Sequence, residues 1–393
     1  MLADMLHSFR RCLRARVALT VIALVALSSC AGEQLVFPDW TIDVPAGIPV
    51  HGYAGVARAE RTDRVELVED LVLAPTDPEI AFYRAWRFDV DGDDNIYIAD
   101  DGHKHVIVFD RDGNYLRRFG REGSGPGEFV SSQDVYVSGD RVVLGDWRGR
   151  RINVWDLRGN RIDEIEHGSM QLVDIPGRPW SEDSFIATTI VDDRRSEYDA
   201  AIERYDFELQ ALTRYLVYTA TRNIAVGDAR IHDPSVRIAY AVERGGNVYF
   251  TRGDRVQVLA YSGDGAPAWA ARTTWPAPPF DDDLKRRIME TYYNPDGMTL
   301  SSRGWPDTIA TVSRLAVDDA GRLWVYLREG YDDPPLDQEV PVDIFDRNGE
   351  RLCACLVANR YWQAAGPGYV LALDRDPVTE EYIIVRYRVE LPF

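Results

Sequence analysis

One pattern recurs along most of this 393-residue chain and limits what it can become. It is clearest in NIYIADDGHKHVIVFDRDGNYLRRF (95–119), in RVVLGDWRGRRINVWDLRGNRIDEI (141–165), and in GRLWVYLREG (321–330) followed by PVDIFDRNGERLCACLV (341–357). Each copy has a strand, a polar loop, a second strand ending in an aromatic residue and Asp, a turn closing on Gly, and a third strand. Weaker copies keep the aromatic landmark, which recurs as Phe109, Trp155, Tyr205, Tyr261, Phe345 and Tyr387, with gaps of 46, 50, 56, 84 and 42 residues. A repeat of this length is one supersecondary unit that cannot bury its apolar face alone and must stack on its neighbours.

Short strands at this period are the size of one β-propeller blade, and the 84-residue gap leaves room for one large insertion. Six landmarks predict an all-β fold: a six-bladed β-propeller of four-stranded antiparallel blades. The last repeat, Tyr361 to Val389, holds only three strand-like runs. The missing outer strand is expected to be Val65–Leu73 (VELVEDLVL), which would join the two ends of the chain and hide a sheet edge. A helix could also satisfy that segment, but the chain beyond it shows almost no helical periodicity. The insertion, 272–312, is the exception. Phe280, Leu284, Ile288 and Tyr292 recur at i, i+4 after Asp281–Asp283, and Asn294-Pro295-Asp296-Gly297 follows, which predicts a helix packed on the rim or acting as a lid.

The N-terminus sets the compartment. Arg10, Arg11, Arg14 and Arg16 precede an apolar run, Val17–Leu27, that is too short to span ~30 Å of hydrocarbon, so it reads as a signal peptide. It ends in Leu27-Ser28-Ser29-Cys30, which resembles the bacterial lipoprotein signal. On that reading residues 1–29 are removed, Cys30 carries the acyl chains, and 31–64 form a flexible tether of roughly 30–35 Å between bilayer and propeller (65–393). An ordinary secretory signal is the alternative. Ala31 is not the Asp that commonly retains lipoproteins at the inner membrane, so the expected location is the outer membrane, facing the periplasm. Cleavage moves the formal charge from −19 to −22, which disfavours nucleic acid and anionic lipid surfaces and leaves the lipid as the membrane contact. Cys353 and Cys355, at i and i+2 on one strand face, read as small apolar fillers.

The repeat text is similar to NHL-type six-bladed β-propellers, in particular a bacterial lipoprotein group marked by G-x-G-P-G-E-F, present here as Gly123-Ser124-Gly125-Pro126-Gly127-Glu128-Phe129. The resemblance covers about residues 65–390 and implies the fold but no agreed reaction. The glycine-rich stretch lacks the Lys-Ser/Thr and the helix of a phosphate cradle and reads as an interblade connector. Asp89, Asp91, Asp93, Asn95 and Asp100 fall at calcium-loop positions 1, 3, 5, 7 and 12, but Asp94 stands where Gly is wanted, and a β-turn explains the same residues.

Two function classes remain. One is a binding or scaffolding module with no cofactor, recognising an unknown protein or a small anionic ligand. The other is a hydrolase or lyase of the lactonase type, holding a divalent cation such as calcium in the central channel. No three histidines occupy equivalent blade positions, and no G-x-S-x-G or HExxH motif is present. Strands alternate in direction within a blade, so loops between second and third strands share a face with the interblade connectors. On that face DDGHKH (100–105), DWRGRR (146–151), DDRRSE (192–197) and TRGDR (251–255) are locally basic, whereas the opposite turns DVDGDD (89–94) and VDDAG (317–321) are acidic. A binding mouth of His103, Lys104, Arg148, Arg150, Arg194 and Arg252 would focus potential on an anion. The competing reading pairs these cations locally with Asp100, Asp146, Asp193 and Asp254.

Overall fold

The computed structural model describes residues 43–75, 77, 80–166, 178–193, 197–221, 224–226, 229–231, 239–252, 255–292, 307–330, 334–335, 338–376, 379 and 381–393. Cys30, His167, Arg194, Arg195, His232 and Asp254 lie outside this set. Two strands precede the repeats: β1 (Val50–Tyr53) and β2 (Arg64–Leu73). Blade 1 is β3–β6 (Arg87–Val90, Ile96–Asp100, His105–Phe109, Tyr115–Phe119), and blade 2 is β7–β10 (Ser132–Ser138, Arg141–Asp146, Arg151–Asp156, Arg161–Glu166). Blade 3 is β11–β14 (Arg178–Ser181, Ser184–Asp193, Glu197–Asp206, Ala211–Thr221), and a small hairpin, β15–β16 (Ile224–Val226, Ala229–Ile231), follows it. Blade 4 is β17–β20 (Ala239–Val242, Val248–Thr251, Gln257–Tyr261, Pro267–Thr273). Helix α1 (Asp282–Tyr292) lies between it and blade 5, β21–β24 (Val312–Val317, Leu323–Leu327, Glu339–Phe345, Arg351–Ala358). Blade 6 takes β25–β27 (Tyr361–Gly366, Tyr369–Arg375, Tyr382–Glu390).

The period-2 text works through alternation. On β4, Ile96 and Ile98 pack with Leu371 and Ile384 of blade 6, while Tyr97 and Ala99 pack with Val135 and Leu144 of blade 2. Both faces of the inner strands are therefore covered, which is why IYIA is apolar at every position. The six buried clusters each join two successive blades, including blade 6 to blade 1, so the ring is closed. All six aromatic landmarks fall in third strands, and all are buried.

The turns opposite the interblade connectors consume their own acids. Asp91 accepts hydrogen bonds from the backbone amides of Asp93 and Asn95, from Asn95 Nδ2 and from the Tyr97 hydroxyl. Asp318 does the same for Ala320 N, Arg322 N and Trp324 Nε1. The 89–100 segment is thus the β3–β4 hairpin, with Asp94 itself in the left-handed region at φ 63°. At Asp110, Asp156 and Asp346 the same local hydrogen bonding caps the turns between third and fourth strands, closed by Gly113, Gly159 and Gly349 at φ of 85–88°. The acidity of these turns is thereby spent on turn geometry.

The expected closure is present, and it goes further than one blade. β2 pairs antiparallel with β27 from Glu66↔Glu390 to Leu73↔Ile384 and becomes the outer strand of blade 6. Its first residues also pair parallel with β24, so it bridges blades 5 and 6. Part of the segment expected as free tether is also built into the ring. β1 pairs parallel with β20, the outer edge of blade 4. Gly55 N donates to Thr274 Oγ1. Arg61 is buried, with its Nη2 2.8 Å from Asp343 Oδ1 and Nη1 donating to the carbonyls of Val342 and Cys355. The composition of 44–63 resembles a linker, but its backbone finds an unpaired strand edge and its one buried cation finds a buried carboxylate.

In the insertion, α1 starts as expected: Asp281 Oδ1 accepts from Leu284 N, and Phe280 and Leu284 are buried. The side chains of Ile288 and Tyr292 lie outside the described set. Cys353 and Cys355 share a face in the cluster between blades 5 and 6 with their sulfurs side by side, as the strand spacing predicts. Among the described residues no helix is long and apolar enough to cross a membrane.

Candidate functional site

The face that carries the second-to-third loops is organised by two aspartates at the ends of second strands. Asp100 is fully buried. Its Oδ1 accepts from Arg84 N and Gly102 N, and its Oδ2 from Tyr83 N and, at 2.8 Å, from His103 Nδ1. Burial pushes this carboxyl upward, but the hydrogen bonds from Arg84, His103, Tyr83 and Gly102 outweigh it, and the net pKa is lowered. Asp146 repeats the arrangement in blade 2, accepting from Val130 N, Ser131 N and Gly149 N, with Arg151 Nε 3.3 Å away. Each aspartate ties the connector entering a blade to the loop leaving its second strand. The local-pairing expectation is therefore met by these two acids in a different way, because they hold backbone more than they hold the predicted cations.

The predicted mouth residues separate accordingly. Lys104 is not available to a ligand: it is mostly buried, its Nζ is 2.8 Å from Asp101 Oδ1, and that oxygen also accepts from Ser132 N of blade 2. Arg150 adopts φ 52° in its loop and is engaged, as is the half-buried Arg252. Arg194 lies outside the described residues. Arg148 differs from all of these, being exposed and making no ion pair among the described residues. Its expected partner Asp146 is already committed to three backbone amides and Arg151. His103 is partly exposed at the rim.

Sequence reading missed the aromatic residues on this face. Tyr83, Trp86 and Trp147 are exposed by 65%, 47% and 49%, three of the five exposed large aromatic side chains among the described residues. The Tyr83 ring lies over Gly102, where any Cβ would overlap it, and 6.0 Å from the His103 ring. Trp86 meets Tyr382 of blade 6 edge-on at 6.4 Å, and Arg375 covers Tyr382 at 4.7 Å. Trp147 is fixed by its backbone amide to Ser131 O and sits beside Arg148. The available signal was a Trp inside an otherwise polar loop, DWRGRR.

The glycine-rich segment is a connector, as expected, and Arg151 shapes it. Its guanidinium donates to the carbonyls of Gly123, Ser124 and Glu128. Glu128 turns back to accept from Gly125 N, and a Cβ at Gly123 would overlap its carboxylate. At the other end of the channel, Arg244 of blade 4 reaches Asp89 of blade 1, Nη2 to Oδ2 2.9 Å, and the same oxygen accepts from Val137 N of blade 2. That inner-strand carboxylate is thus already paired. Among the described residues, one group of three side chains lies at metal-ligand spacing: Asp100, His103 and His105, within 4.8 Å of one another. It sits on the rim loop of blade 1, not on the channel axis.

Residues 90–227 match a protein family described as "6-bladed beta-propeller". The chain is a six-bladed β-propeller. A solved member of the DUF4221 family from Bacteroides vulgatus superposes with a TM-score of 0.50 at 8% identity, covering 84% of this chain and 100% of that one. A protein described as exported, from Bacteroides fragilis, gives 0.47 at 12% identity (88% and 99% covered), and virginiamycin B lyase from Staphylococcus aureus gives 0.39 at 10% (82% and 88% covered). No curated protein matches the sequence. At these identities the likeness is one of fold.

Proposed function

We propose that this propeller is a lipid-anchored binding module of the bacterial cell envelope. In this reading its ligand is anionic and docks on the face of the second-to-third loops, against Trp147, Arg148, Tyr83 and Trp86. The observation that carries the reading is that an exposed guanidinium, Arg148, and an exposed indole, Trp147, are neighbours in one loop of a chain whose formal charge is −19. A planar cation and a large aromatic side chain offered by the same loop suit acidic groups attached to a flat or apolar body, such as an acidic sugar or an acidic peptide. The lipobox and Cys30 support the anchor, since two or more acyl chains hold a protein stably where one does not.

Two measurements test this. A panel of acidic and neutral glycans and peptides titrated onto the protein should yield an acidic binder whose affinity falls with salt, because exposed charges are screened over ~8 Å at physiological ionic strength. Arg148→Glu and Trp147→Ala should each weaken it by about tenfold, or ~1.4 kcal/mol. Equal binding by wild type and both variants would remove this face from consideration. Separately, Cys30→Ala should abolish lipid labelling and release the protein from membranes, and a wild-type mature chain that begins elsewhere without acyl groups would refute the anchor.

A further inference from the structure

We propose that Asp100, His103 and His105 form a binding site for a divalent transition-metal ion of the Zn2+ type, independent of the anion-binding reading. Asp100 closes β4 and His105 opens β5, and the two are direct cross-strand partners, so their side chains leave the same face of the blade. Between them, Lys104 takes φ 59° and folds the loop back, bringing the His103 ring 5.5 Å from that of His105. One ligand atom from each residue lies within 4.8 Å of the others. A tetrahedral ion with bonds of ~2.0–2.1 Å needs its ligands roughly 3.3 Å apart, a closure that the partly exposed His103 can supply by turning.

Two further observations point to a cation. His105 Nε2 is buried and has no hydrogen-bond partner. The second observation comes from the internal repeat. Residues 146–151 of blade 2 form the same six-residue frame: an Asp at the strand end, a cross-strand partner at the sixth position, Asp146↔Arg151, and a left-handed residue before it, Arg150 at φ 52°. There the partner is a guanidinium lying 3.3 Å from the carboxylate. Blade 1 keeps the buried carboxylate and puts the imidazole of His105 where blade 2 has that fixed cation. A bound dication would restore the charge that blade 2 carries covalently. Two nitrogens and one oxygen favour zinc, nickel or copper over calcium or magnesium. Ligation through His103 Nδ1 would replace its hydrogen bond to Asp100 Oδ2, with the ring's single N–H carried on Nε2 instead.

Calorimetric titration of the untagged protein tests the site, using Zn2+ and Ca2+ in turn on wild type, His103→Ala and His51→Ala. His51 sits on the edge of blade 4 beside Glu350 and serves as the control. Wild type should bind one Zn2+ and no Ca2+. His103→Ala should bind at least tenfold more weakly while melting like the metal-free wild type, and His51→Ala should match wild type. Co2+ should give the visible absorption of a tetrahedral site in wild type alone of the pair with His103→Ala, and this spectrum decides the case if that substitution also perturbs folding. Absence of Zn2+ binding, unchanged affinity in His103→Ala, an equal loss in His51→Ala, or a Co2+ spectrum without tetrahedral bands would each overturn the proposal.

Discussion

A chain that begins at residue 74 should aggregate and lose its cooperative unfolding transition, whereas one that begins at residue 43 should fold and melt like the mature protein. The difference is β2. It covers the edge of β27 along seven register pairs and caps blade 5 through Arg64 and Val65. Val65 and Leu73 are buried, each contributing about 1.5–3 kcal/mol, and the partly buried Leu67 and Leu71 add a smaller share. Their sum is comparable to the whole net stability of a typical domain, about 5–15 kcal/mol. The bared β27 edge would also template association. Light scattering together with thermal melts of the two truncations measures both effects, and equal solubility and melting would show that the ring closes without this strand.

Arg61→Ala should destabilise the protein by about 3–5 kcal/mol and lower the melting temperature by on the order of 5–10 °C. The cost arises because Asp343 is buried between Arg61 and Arg351, and removing the nearer guanidinium leaves the carboxylate with Arg351 Nη1 at 3.5 Å. Two carbonyls, Val342 O and Cys355 O, lose their donor in the same step. Combining Arg61→Ala with Asp343→Ala should recover part of the loss, since the fully buried carboxylate is then gone and only the less deeply buried Arg351 loses its ion-pair partner. A melting temperature unchanged by Arg61→Ala would mean that residues 50–63 are not held against blades 4 and 5 in solution.

Much of the architecture was legible because the repeat is local chemistry written several times over. The aromatic-Asp-x-x-Gly text specifies a third strand, a capped turn and a fourth strand without reference to anything distant, as at Phe109–Gly113 and Trp155–Gly159. Period-2 apolar runs then require neighbours on both faces, and blades supply them. The outer strand of blade 6 could be found by counting what the last repeat lacked.

The candidate site was less legible. The loops of blades 1 and 2 stand where the strand order puts them, but which of their cations remain available depends on partners far along the chain. Lys104 is consumed through an aspartate that also holds Ser132, and Arg148 is spared because Arg151 and the connector amides occupy Asp146. A list of charged residues cannot show that division, since every Arg and Asp in it looks equivalent. The grouping of His103 with His105 depended likewise on one left-handed residue, Lys104, whose conformation no side-chain pattern announces.

By itself, then, the sequence determined blade number, strand order within each blade, the turns and the strand that closes the ring, because these follow from short-range hydrogen bonding and from the need to bury two-sided strands. Only the tertiary structure decided that 50–63 is part of the body, that Arg61 meets Asp343 across 282 positions of chain, and that one carboxylate frame carries a guanidinium in blade 2 and imidazoles in blade 1. Those outcomes depend on which distant groups reach a buried charge first, and that is set by packing.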